Sequence, residues 1–125
     1  MDKDMDYAVA KALGWDVVPS NRAYAGTFTS GVKYIFSHEG KLWLDAQATA
    51  HDAAGYNEWS PSTSADDAIA ALEAWCGKYG VSWGLLGGAG YHCFIQFAGH
   101  RVEMIGEAKE AVICSTILLA ASEVT

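Results

Sequence analysis

The sequence predicts an α+β fold in a single domain spanning 1–125, with an antiparallel β-sheet layered by α-helices in the order α-β-β-α-β-β-β-α. Three observations carry this reading. Ala65, Ala68, Ile69, Leu72, Trp75, Cys76 and Tyr79 recur at helical spacing along one stripe. Residues 82–105 hold three short β-prone runs separated by glycine-containing turns. Residues 111–121 are apolar around nearly the whole helical circumference, broken only by Ser115 and Thr116.

Taken in order, Asp4 to Leu13 forms a first helix. Acids open it, Lys11 sits near its end, and Gly14 follows as the C-cap before Trp15 turns back toward the core. Pro19 to Gly26 is turn-rich. Val32 to Ser37 and Leu42 to Ala46 read as a hairpin around His38-Glu39-Gly40-Lys41, with Thr27 to Thr29 as a candidate preceding strand. Ala48 to Tyr56 reads as a loop. The second helix follows Trp59-Ser60-Pro61: Ser62, Thr63 or Ser64 can cap it, Asp66 and Asp67 suit its positive end, and Gly80 closes it. Its other face, Asp66, Ala70, Glu73 and Gly77, faces solvent.

Ser82–Leu86, Tyr91–Ala98 and Val102–Ile105 then form a meander. In the middle strand Tyr91, Cys93, Ile95 and Phe97 share one face, and His92, Phe94, Gln96 and Ala98 the other. Phe94 makes that second face partly apolar, which points to a cover on both sides of the sheet. Glu107–Ser122 is the third helix. A helix without a wet face needs an enclosing partner, and in a chain this small that favours a homodimer or higher homo-oligomer.

The formal net charge is −7, from 15 acids against 8 basic residues, and Arg22 and Arg101 are the two arginines. Affinity for nucleic acid rests on phosphate neutralisation, so direct nucleic-acid binding is not expected. Cys76, Cys93 and Cys114 are odd in number, lack metal spacing and sit in apolar runs. They read as reduced core thiols of a cytoplasmic protein. The chain opens without a basic, apolar leader, and the run Ile117–Ala121 is too short to span a membrane.

Three segments resemble the phage ABA-sandwich domain family: Ala8-Val9-Ala10-Lys11-Ala12-Leu13-Gly14-Trp15; Trp59-Ser60-Pro61-Ser62-Thr63 with Ala71, Leu72 and Trp75; and Glu107-Ala108-Lys109-Glu110-Ala111-Val112-Ile113-Cys114 through Leu118-Leu119-Ala120-Ala121. Residues 27–56 depart from the compact family pattern as an expanded segment. The resemblance implies a sheet layered with helices and a phage or prophage setting, with no activity and no catalytic residues to carry over.

For ligand chemistry, Gly84-Leu85-Leu86-Gly87-Gly88-Ala89-Gly90 could present backbone N–H groups to phosphate. It lacks a Gly-Lys-Ser/Thr ending and precedes a strand, so a flexible hairpin connection is the simpler reading. Trp59, Trp83 and Tyr91 could stack on a planar base, and His100 and Arg101 could meet its phosphate. Trp59, Trp83, Gly87, Gly88, Gly90, Tyr91, His100 and Arg101 are therefore the candidate ligand-binding residues, although core packing explains most of the aromatics. His38, His51, His92 and His100 have no metal-ligand spacing, and His92 and Cys93 face opposite ways on one strand. No metal, cofactor or catalytic set is expected.

These residues point to a non-enzymatic accessory protein acting by binding, in counter-defence or host takeover. One version sequesters a small host molecule such as a signalling nucleotide. The other blocks a basic, nucleic-acid-binding host protein through an acidic surface made of Asp2, Asp4, Asp6, Asp16, Glu103, Glu107 and Glu110.

Overall fold

The structure, a computed structural model, describes residues 3–19, 34–38, 41–44 and 57–124. The fold is α+β. The chain divides into two compact units, Met1–Ser60 and Pro61–Thr125. Of the turn-rich stretch expected at Pro19–Gly26, Pro19 ends a strand instead and 20–26 lie outside the described residues, as do the strand expected at Thr27–Thr29, the loop at 48–56 and most of the 27–56 expansion.

The first unit contains α1 (Lys3–Ala12), β1 (Asp16–Pro19), β2 (Tyr34–His38), β3 (Lys41–Leu44) and β4 (Asn57–Glu58). The sheet order is β1-β2-β3-β4; β2 runs antiparallel to both β1 and β3, and β4 is parallel to β3. The expected hairpin is present as β2 and β3. Strands β1 and β4 add to the expected order. Val17-Val18 is a short β-branched pair beside Pro19, which a strand tolerates at its end because a missing N–H costs least there.

Helix α1 ends as its glycine dictates. Gly14 adopts φ 83°, its N–H donates to the Lys11 carbonyl at 3.0 Å, and the Trp15 N–H donates to the Ala10 carbonyl at 3.0 Å. The indole of Trp15 lies 4.6 Å from that of Trp59. Ser60 Oγ donates to Asp6 Oδ2 at 2.8 Å, and both side chains are buried. Asp6 is thus a structural acceptor inside the unit, not part of an acidic surface. A carboxylate out of water needs such donors.

The second unit contains α2 (Ala65–Tyr79), β5 (Ser82–Gly87), β6 (Tyr91–Gln96), β7 (Arg101–Gly106) and α3 (Lys109–Val124). Of the possible caps for α2, Ser64 is used: its Oγ accepts from the Asp67 N–H at 3.3 Å. Gly80 closes the helix in the left-handed region at φ 66°, its N–H returning to the Cys76 carbonyl. Ala68, Ala71, Leu72, Trp75 and Cys76 are buried, and the Asp66, Ala70, Glu73, Gly77 face is exposed.

Strands β5, β6 and β7 form an antiparallel meander with continuous register. One face carries the rows Trp83–Ile95–Val102 and Leu85–Cys93–Met104, and the other carries Ser82–Gln96–Arg101, Gly84–Phe94–Glu103 and Leu86–His92–Ile105. Helix α3 packs on β6 and β7 and against α2, which reaches β5. Thr116 Oγ1, pointing from α3 toward the Cys93 carbonyl at 3.5 Å, and Trp75, 6.3 Å edge-on from Phe97, show that both helices use the Cys93–Ile95 face. Among the described residues of this unit no helix packs on the opposite face, where Leu86 is 59% and Ile105 73% exposed. Among the described residues no helix is long and apolar enough to cross a membrane.

Candidate functional site

The hairpin turns at the two ends of the β5–β7 sheet separate the candidate ligand residues. Gly87 and Tyr91 pair at the β5–β6 end, with Gly88 and Gly90 in the turn between them. Arg101 pairs with Gln96 at the β6–β7 end, and His100 sits in the turn beside it. The length of β6 lies between them, roughly 17 Å at the usual rise per strand residue. Trp83, opposite Ile95, shares the Arg101 end but lies on the inner face, whereas Arg101 is on the outer face. Trp59 belongs to the first unit, where it is 5% exposed and occupied by Trp15. The seven candidates of the second unit therefore do not assemble into one pocket for a base and its phosphates.

The cationic end is committed to holding its own turn. The Arg101 guanidinium carbon stands 4.0 Å over the centre of Phe94, and Nε donates to Gln96 Oε1 at 2.9 Å. Gln96 Nε2 in turn donates to the carbonyls of Phe97 and His100 at 2.8 and 3.0 Å. His100 stacks on Phe97 with centroids 4.9 Å apart. Gly99, at φ 98°, supplies the backbone conformation the tight turn requires. The outer edge of the Phe94 ring lies against Gly84, where an added Cβ would come within 2.3 Å of it. This clamp needed pairing across two strands to be seen, and its cation–π pair at spacing 94–101 leaves no periodic trace in sequence.

The thiols are equally committed. Cys76, Cys93 and Cys114 are buried thiols that form no disulfide. Burial, followed by the neighbouring Cys93, pushes the Cys76 thiol up from 9.0 to about 11. Burial also raises Cys93, partly offset by its hydrogen bond with Thr116. Thiols held protonated make poor nucleophiles. On the outer face His92 Nε2 lies 2.6 Å from Glu103 Oε2, away from Cys93 on the buried side. Among the described residues no three His, Cys, Asp or Glu side chains cluster as metal ligands.

A shallow groove lies elsewhere on the second unit. About 240 Å³ in volume, it runs between the end of β7 and the first turns of α3. Met104, Ile105, Gly106, Ala108, Ala111, Val112 and Ser115 line it, with Glu107 as its charged residue. Its shape comes from small residues: a side chain at Gly106 would meet Val112 Cγ2 at 2.9 Å, and Ala108 and Ala111 keep the helix wall low. Sequence reading placed Glu107 and Glu110 at a helix start but not beside a groove. The signal for it was Met104-Ile105 followed by the small residues of an incoming helix. Comparison with known protein families, curated proteins and solved structures finds no match.

Proposed function

We propose that this chain is a non-enzymatic binding protein that occupies a basic, nucleic-acid-binding host protein in the host cytoplasm, as a phage accessory factor in counter-defence or host takeover. The observation that carries the reading is the apolar groove at the β7–α3 junction with Glu107 in its lining and Glu110 in the first turn of α3. An apolar cleft with a glutamate in its lining favours a partner that brings aliphatic side chains and positive charge together. The net charge of −7 acts in the same direction over longer range. The resemblance to phage ABA-sandwich proteins supports the biological setting and a layered single-domain architecture.

Sequestration of a signalling nucleotide has less support, because the glycine-rich turn and Arg101 stand at opposite ends of the sheet. The test is capture from host lysate on the immobilised chain. Proteins with isoelectric points above about 9, displaced by salt and by competing DNA, are expected. Capture of no basic protein overturns the reading, and nucleotides released on heat-denaturing the purified chain would replace it with the small-molecule one.

A further inference from the structure

We infer that the free edge of β7, together with the groove beside it, takes one extended segment of a basic partner as an added strand. This deepens the proposed function and rests on it.

The phase of the β6–β7 ladder decides which backbone groups are on offer. The Phe97 N–H donates to the His100 carbonyl at 2.8 Å, so these two face each other as a hydrogen-bonded pair. Antiparallel pairing alternates from there. Val102, Met104 and Gly106 turn their N–H and C=O toward β6, and Arg101, Glu103 and Ile105 turn theirs outward. Among the described residues no strand pairs with that side of β7.

Proteins protect such edges with prolines, bulges or free charges. Strand β7 pairs all six residues with β6 in unbroken register and contains no proline. Its two charged side chains are tied down, Arg101 to Phe94 and Gln96, and Glu103 to His92. Ile105 and Met104 are left exposed at the end that meets the groove.

The groove's 240 Å³ falls below the ~300 Å³ where small-molecule pockets usually begin. It suits one or two aliphatic side chains projecting from a strand, which is how added strands gain specificity over their backbone bonds.

Charge chooses the occupant. Over Arg101 to Glu110, Glu103, Glu107 and Glu110 outnumber Arg101 and Lys109, and beside the groove itself Glu107 is the charged residue of the lining. A second copy would set −7 against −7. In the register that uses all three outward residues, it would also place Glu103 opposite its own counterpart, a destabilising pair. A segment mixing Val or Ile with Lys or Arg meets neither penalty.

The probe is a ten-residue peptide of alternating Lys and Val, with an alternating Glu and Val peptide as control. The Lys–Val peptide is expected to bind at least tenfold more tightly and to protect the amides of Arg101, Glu103 and Ile105 from hydrogen exchange. Ile105→Pro removes an outward N–H, a change that edge strands tolerate, and should weaken binding more than tenfold. Ile105→Ala, which keeps the N–H, should weaken it only a few-fold. Should Ile105→Pro fail to fold, the protection map of the unaltered chain decides alone. Protection of a different set of amides, or unchanged binding by folded Ile105→Pro, overturns the inference. So does a dimer in sedimentation that protects the same three amides without peptide. Basic proteins still captured from lysate by Ile105→Pro would leave the proposed function standing and remove only this site. Capture of none by the unaltered chain would remove the proposed function itself.

Discussion

The two faces of the β5–β7 sheet come from the same alternating strands but meet different surroundings. On the inner face Cys93 and Ile95 are fully buried beneath α2 and α3. On the outer face Leu86 and Ile105 stand largely in solvent, and order comes from side-chain pairs: Arg101 over Phe94, and His92 against Glu103. The inner face is held by burial, which scales with apolar area removed from water. The outer face is held by local pairs, each worth a fraction of that. Alternation along a strand decides which residues share a face, and the following helices decide which face is covered.

Matched truncations test this contrast most directly. Ile95→Ala should cost about 2–5 kcal/mol, because it opens a cavity that packed helices cannot close. Ile105→Ala should stay within about 0.5 kcal/mol, since its side chain gives up little contact. Urea denaturation of both variants reads the difference. Similar costs at the two positions would mean that the outer face is covered in solution.

The buried thiol gives a pH-dependent version of the same contrast. Cys76 is lifted from 9.0 to about 11 by its place under the sheet. Below pH 9 both folded and unfolded chains keep this proton, and the group has no effect on stability. Between 9.0 and about 11 the unfolded chain loses the proton first, so it binds fewer protons and stability falls as pH rises. A loss on the order of 1–3 kcal/mol across that window is expected from this group. Comparing the unaltered chain with Cys76→Ala at each pH isolates the contribution of this thiol. Parallel pH profiles would show that the thiol is not shielded.

How much of this was legible in the sequence follows from the range of each interaction. Helix α2 was readable because its stripe, a cap within Ser62–Ser64 and its Gly80 terminus all act within a few residues, although nothing local decides which of the three residues caps it. The meander was readable from glycine-containing turns between β-prone runs. Strands β1 and β4 were not, because four and two residues carry too little pattern, and β4 depends on a parallel partner, β3, distant in sequence. Asp6 looked like surface charge because nothing local announces Ser60, 54 residues away. The candidate ligand site failed to assemble for a related reason. Glycines and cations close in sequence are sent to opposite ends of a hairpin by the strand between them. The open outer face was hidden by Phe94, which looked like core but serves as the platform for Arg101.

The smallest expected effect concerns that platform. Arg101 and Phe94 should couple by about 0.5–1 kcal/mol in a double-mutant cycle built from Arg101→Met and Phe94→Leu, the usual size for a cation over an exposed ring. Methionine keeps much of the side-chain bulk, and leucine keeps an apolar cover over Gly84, so the cycle isolates attraction between charge and ring. Gly84→Ala offers an independent handle. Its Cβ would drive the Phe94 ring away from the strand, since the two would approach within 2.3 Å. If the ring must stay against Gly84 to receive Arg101, the coupling should shrink toward zero in the Gly84→Ala background. Unchanged coupling there would show that Arg101 follows the ring wherever it goes, making Gln96 the anchor of this turn and Phe94 a passive neighbour.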